Sequence, residues 1–109
     1  MNYTDTQLKQ ALAKMLPEHI LCNTANFRSD PYHREGLFWR IRYDKNNLFQ
    51  EVLDTELLHL CWLVEETLGE LDQQYYTTLG FVCANYGWCW HATWQQRTIA
   101  LAKVKGVEI

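Results

Sequence analysis

An α+β fold is predicted by three features of the sequence: two helix starts marked by capping boxes, a strand of alternating residues at 37 to 43, and an aromatic run from Tyr75 to Trp94. The expected arrangement is an antiparallel sheet of four to five strands with three helices packed on it, an α/β/α-like sandwich. At 109 residues, 48% hydrophobic and 21% charged, the chain is the size of one globular domain spanning 1–109.

Each element follows from local chemistry. Thr4 can cap a first helix, Gln7 completes its capping box, and Tyr3 can staple onto Leu8. Leu8, Leu12, Met15 and Leu16 then recur at helical spacing until Pro17 closes the run. Ile20 to Cys22 reads as a short strand, and residues 23–36 as an exposed loop rich in turn formers. From Leu37 to Tyr43, Leu37, Trp39, Ile41 and Tyr43 share one face while Phe38, Arg40 and Arg42 share the other, which predicts a half-buried strand. After a turn at Asp44, residues Leu48 to Val52 return antiparallel, with Glu51 within reach of Arg40 or Arg42.

A second helix is expected from Asp54, with Leu53 and Leu58 as a staple, to Gly69. Its interior is apolar around much of its circumference, so it is expected to be broadly buried. Glu65 and Glu66 fall at the unfavourable end of its dipole, a misfit on the order of a few tenths of a kcal/mol. Tyr75 to Trp94 reads as a hairpin turning at Asn85-Tyr86-Gly87, pairing Cys83 with Cys89 and Val82 with Trp90. Neither face of that hairpin carries a charge, so both need cover, and a face left open would serve as a homodimer or partner surface. The last helix starts near Thr93 with Gln96 in capping-box position, buries Leu101 and Val104 with Arg97 or Thr98 at the margin, and ends at Gly106.

Residues 51–106 resemble the small phage and prophage proteins grouped as the phage ABA sandwich domain. The resemblance rests on DTELLHLCWLVEETL, YYTTLGFVCANYGWCWHATW and QQRTIALAKVKG, with Asp54, the Trp90 to Trp94 strand and the Leu101 stripe at matching positions. The N-terminal part, with its own helix and strands, departs from that pattern. The resemblance implies an origin in a phage or mobile element and a family without an established activity, and it transfers no catalytic residue.

The start MNYTDTQLKQ lacks the basic and apolar regions of a secretory signal, and no stretch approaches the ~20 apolar residues of a membrane span. A cytoplasmic protein is expected, in a bacterial host as the resemblance implies, with Cys22, Cys61, Cys83 and Cys89 reduced. Cys83, Cys89 and His91 share a face in the expected hairpin and are candidate metal ligands, but a structural zinc site wants a fourth ligand that the sequence does not nominate. His59 and Cys61, two apart on a helix, point away from each other, and Cys22 has His19 or His33 as a conceivable base. No nucleotide-binding, metalloprotease or nucleophile-elbow motif occurs, so neither a cofactor nor catalysis is predicted.

The net charge of -3 conceals a partition. Residues 51–72 carry seven acids and no Lys or Arg, whereas 1–50 carry seven Lys/Arg against five Asp/Glu. Glu65, Glu66, Glu70 and Asp72 are therefore candidate contacts for a basic surface on a host complex. Together with the resemblance, they point to a non-enzymatic protein acting through protein contacts, such as an anti-CRISPR-like stoichiometric inhibitor of a bacterial defence complex. The alternative is a small nucleic-acid-binding module using Arg28, Arg34, Arg40 and Arg42 with neighbouring Phe38, Trp39 and Tyr43, or a Cys/His metal-binding module.

Overall fold

Hydrogen bonds made within a few residues of one another set the first helix. The Thr4 hydroxyl accepts from the Gln7 amide at 3.2 Å while the Gln7 side chain accepts from the Thr4 amide at 2.9 Å, so the reciprocal box forms. It starts α1 (Asp5–Met15), which buries Leu8, Ala11, Leu12 and Ala13, and a cap of this kind contributes about 1 kcal/mol. The computed structural model describes residues 3–24, 27–28, 34–43, 49–83 and 91–109, of which 41–43 and 49 are described as backbone only.

Just beyond α1 the chain turns tightly, the His19 and Ile20 amides both donating to the Leu16 carbonyl, and enters β1 (Ile20–Asn23). β1 pairs antiparallel with β2 (Gly36–Tyr43), placing Ile20 opposite Trp39, Leu21 opposite Phe38 and Cys22 opposite Leu37. β2 in turn pairs with β3 (Phe49–Glu51), with a register irregularity between Phe38 and Tyr43, so β2 is the central strand. The period-two alternation sends Ile20, Cys22, Leu37 and Trp39 into the main core with residues of all four helices.

Phe38 was expected on a solvated face, yet it is only 2% exposed, and its partner Leu21 on β1 is fully buried. Arg34 lies over its ring, 5.7 Å from the centroid, and Gly36 abuts the ring edge. Gly36 has φ +144°, and a Cβ there would sit 3.0 Å from Phe38 Cζ, so both backbone and space call for glycine.

A 3-10 turn at Asp54–Glu56 leads into α2 (Leu57–Glu65), which buries Leu57, Leu60, Cys61 and Val64. The Glu56 carboxylate accepts from the Leu53 amide at 3.1 Å and from the Trp39 indole at 3.3 Å, tying the helix entry to the central strand. α2 is shorter than its sequence pattern implied. Gly69 adopts φ +54° and opens a second 3-10 turn, Gly69–Leu71, rather than simply ending one long helix.

The next element overturns the expected hairpin: Asp72–Cys83 is a helix, α3. Residues 84–90, which hold the predicted turn, Cys89 and Trp90, lie outside the described residues. The aromatic and β-branched residues favour a strand, but Leu71, Tyr75, Leu79 and Val82 also recur at helical spacing, so both periods fit the same letters. Tertiary packing decides between them. Tyr75 and Leu79 are fully buried, and α3 lies along α4. Eight of the nine residues from Tyr75 to Cys83 are weak helix formers, which sums to roughly 4–5 kcal/mol against the helix relative to alanine.

α4 (Trp94–Lys105) closes the fold with both ends as read from sequence. Thr93 and Gln96 form the second capping box, and Gly106, at φ +72°, ends the helix as the Val107 amide donates to the Ala102 carbonyl at 2.8 Å. Its burial differs from expectation. Six consecutive residues, Arg97 to Ala102, are buried because α1, α2 and α3 all pack on it, leaving Val104 only half-buried.

The class is therefore α+β, as predicted, with a different inventory. The described residues hold four α-helices and a three-stranded antiparallel sheet in the order β1-β2-β3, in place of three helices and four to five strands. The difference is the Tyr75 to Cys83 segment, which supplies a fourth helix instead of a hairpin limb.

Candidate functional site

Of the four candidate acids, Glu65 is half-buried and the other three are exposed. Leu68 is buried and Leu71 half-buried, so the turn between α2 and α3 presents Glu66 and Glu70 outward, and Asp72 follows as the exposed first residue of α3. The Thr67 hydroxyl donates to the Val64 carbonyl at 2.7 Å and holds the end of α2 in place.

Glu65 instead points inward. Its Oε1 accepts from Arg97 Nη1 at 2.7 Å and from the Tyr75 hydroxyl, and the Glu65 and Arg97 side chains are only 15% and 10% exposed. Arg97 Nε also donates to the Ala92 carbonyl at 3.3 Å. Burial opposes the charge on Arg97, but the hydrogen bond to Glu65 and its negative charge outweigh that and hold the guanidinium above its ordinary pKa. Burial first, and then the Glu65 hydrogen bond and charge, push the Tyr75 phenol well above its ordinary value. Glu65 is thus a structural counter-ion, which leaves Glu66, Glu70 and Asp72 as the exposed acids of the four. The signal for this was faint, since Arg97 lies 32 residues away.

Aromatic side chains flank those carboxylates. Trp62 precedes Glu66 by one helical turn and is 48% exposed, while Tyr76 follows Asp72 by one turn and is 46% exposed, so each acid shares a helix face with a large ring. His59 stacks edge-on to Trp62 at 6.3 Å between centroids. Phe81, 65% exposed, lies farther along α3, and Glu70, Gln73, Gln74, Thr77 and Thr78 line a shallow groove. No Lys or Arg occurs between Lys45 and Arg97, and Arg97 is used internally. Lys105 comes close, its Nζ donating to the Thr67 hydroxyl at 3.1 Å.

The alternative arginine set is not assembled in the same way. Arg34 pairs with Glu51 at 3.3 Å, and Arg40 Nε donates to the Pro17 carbonyl at 2.6 Å. Arg28 is exposed, in an isolated bridge to Asn23, and the Arg42 side chain lies outside the described residues. Phe38 and Trp39 are 2% and 4% exposed, which removes them as platforms for stacking bases, and the Tyr43 side chain is not described.

Of the Cys/His candidates, Cys83 ends α3, His91 is exposed, and Cys89 lies outside the described residues, as does His33. Among the described residues no three His, Cys, Asp or Glu side chains gather as a metal site. Cys22 is buried while His19 is exposed, and Cys61 is buried while His59 faces outward. Burial pushes the Cys22 thiol up, with Lys9 partly opposing, and pushes Cys61 up to about 11, with a hydrogen bond to Thr98 partly opposing. Both are protonated thiols at neutral pH, poor nucleophiles by that measure.

A cleft of about 440 Å³ opens between the start of α1 and the sheet, lined in part by Lys9, Cys22, Asn23, Glu35, Glu51 and Asp54. Its charges are largely compensated by the protein itself, Asp54 by Lys9 at 3.7 Å and Glu51 by Arg34.

No family model matches the chain, no curated protein matches it, and no solved structure matches it. The class it can be given is that of its fold: an α+β protein with an exposed acidic and aromatic turn between α2 and α3. Among the described residues, no helix is long and apolar enough to cross a membrane.

Proposed function

We propose that the protein acts without catalysis, through protein contacts, and that the turn between α2 and α3 is its contact surface. The observation that carries this reading is the pairing of Glu66 with Trp62 and of Asp72 with Tyr76, with Glu70 between them, in a stretch of chain that contains no Lys or Arg. Large exposed rings supply contact area and the carboxylates select a basic counterpart. The partner would then be a host complex with a basic surface. In the phage or prophage setting implied by the sequence resemblance, the role is that of a stoichiometric, anti-CRISPR-like inhibitor of a bacterial defence complex, acting in the cytoplasm.

Charge reversal tests the reading. Tagged protein and the Glu66→Lys, Glu70→Lys, Asp72→Lys triple variant are used as baits in bacterial lysate, with circular dichroism confirming that the variant is folded. Specific recovery of a partner by the parent, reduced at least tenfold in the variant and weakened by added salt, is the expected result. Equal recovery by both baits, or no specific partner for either, would refute it.

A further inference from the structure

α3 is the helix that its own sequence favours least and that buries the smallest share of its residues. Leu79 is the one strong helix former between Tyr75 and Cys83, and Gly80 and Val82 fall in the last turns. Of its twelve residues only Tyr75, Leu79 and Gly80 are buried, whereas α4, also twelve residues long, buries six. Two large rings, Tyr76 and Phe81, remain at its surface.

A polar connection joins it to its neighbours. The Tyr75 hydroxyl and Arg97 Nη1 both donate to Glu65 Oε1, so a single carboxylate oxygen joins α2, α3 and α4. At the N-terminal end of this region the chain passes through Gly69, whose left-handed backbone has open space around it, a suitable point for a change of direction.

We infer that α3 is a releasable unit, latched to the rest of the protein by Tyr75 at the Glu65–Arg97 pair, which opens while α1, α2, α4 and the sheet stay folded. Local opening costs least where few apolar groups are buried and the backbone has weak intrinsic preference for its structure, and α3 meets both conditions. Opening uncovers Tyr75 and Leu79 beside Tyr76 and leaves Glu65 still paired with Arg97, so the remaining helices keep their ionic tie. This inference does not rest on the proposed function, although Asp72 and Tyr76 of that surface lie on α3.

Native-state hydrogen exchange, read by mass spectrometry or NMR on the full chain at low denaturant, tests it. The amides of 75–83 are expected to exchange at least about tenfold faster than the slowest amides of α4, through an opening that scarcely depends on denaturant. Tyr75→Phe, which removes one hydroxyl and keeps the ring, should speed exchange of α3 alone by roughly twofold to tenfold. Thr77→Ala, at an exposed position, should slow the same amides by about threefold by raising helix propensity. Equal protection of α3 and α4, or variants that shift exchange uniformly across the chain, would overturn the inference.

Discussion

Removing the positive charge at position 97 is the sharpest test of the helical core. Arg97→Met keeps a long apolar stem but leaves the Glu65 carboxylate, 15% exposed, with no counter-charge at 2.7 Å. Breaking a buried ion pair by deleting one partner costs about 3–5 kcal/mol. The residual exposure of both groups admits some water, and Tyr75 still donates to Glu65, which places the expected loss near the lower bound, about 3 kcal/mol. For a chain of this size that corresponds to a fall in Tm of roughly 12–15 °C. The companion variant Glu65→Gln removes the counter-charge of Arg97, whose Nε still donates to the Ala92 carbonyl, and should likewise cost about 3 kcal/mol. The double variant removes both charges and should cost clearly less than the sum, with a coupling of about 2 kcal/mol or more. Urea denaturation followed by circular dichroism and by the fluorescence of the five tryptophans measures all three. Asp54→Asn is the control, since its pair with Lys9 is 3.7 Å long and the Asp54 side chain is 91% exposed, and its effect should stay within about 0.5 kcal/mol. If Arg97→Met costs under about 1 kcal/mol and the double variant is additive, the pair behaves as a surface contact and the reasoning fails.

Two further outcomes are expected. Gly36→Ala should destabilise by about 1–3 kcal/mol, because its φ of +144° is strained for an L side chain and the new Cβ would meet the buried Phe38 ring at 3.0 Å. Gly106→Ala, also at positive φ but in open space, should cost about 1 kcal/mol, so matched denaturation curves separate strain alone from strain with a clash. Stability should also fall at alkaline pH. The Cys61 thiol titrates near 11 when folded and near 9 when unfolded, so the unfolded state loses its proton first. The stabilisation is complete below pH ~9 and is lost as pH rises toward 11, an effect of about 2–3 kcal/mol. Tyr75 acts in the same direction at higher pH. Denaturation midpoints measured at pH 8 and pH 11 should show a smaller drop for Cys61→Ala than for the parent chain, and an equal drop would contradict this account.

What could be read from the chain and what could not follows the range of the interactions. Thr4 with Gln7, Thr93 with Gln96, and Gly106 act within a few residues, and the structure forms each cap as the letters imply. The alternation in β2 was legible for the same reason, although the burial of Phe38 was not. For Tyr75 to Cys83 the letters support two periods at once, and propensity favoured the wrong one. Glu65 looked like its exposed neighbour Glu66, because nothing local distinguishes a carboxylate that meets an arginine 32 residues later.

By itself the sequence determined the α+β class, the two capped helices, the β1 to β3 strands and the stretch devoid of Lys and Arg, since each depends on side chains meeting their own backbone or on simple composition. Only the tertiary structure decided that α4 is buried by three other helices, that Tyr75 to Cys83 coils rather than extends, and that Glu65 turns inward while Glu66, Glu70 and Asp72 face water. The reason is energetic. A helix formed against roughly 4–5 kcal/mol of local preference exists only where burial of Tyr75 and Leu79 and a shared carboxylate outweigh that preference, and those partners come from parts of the chain that meet only on folding.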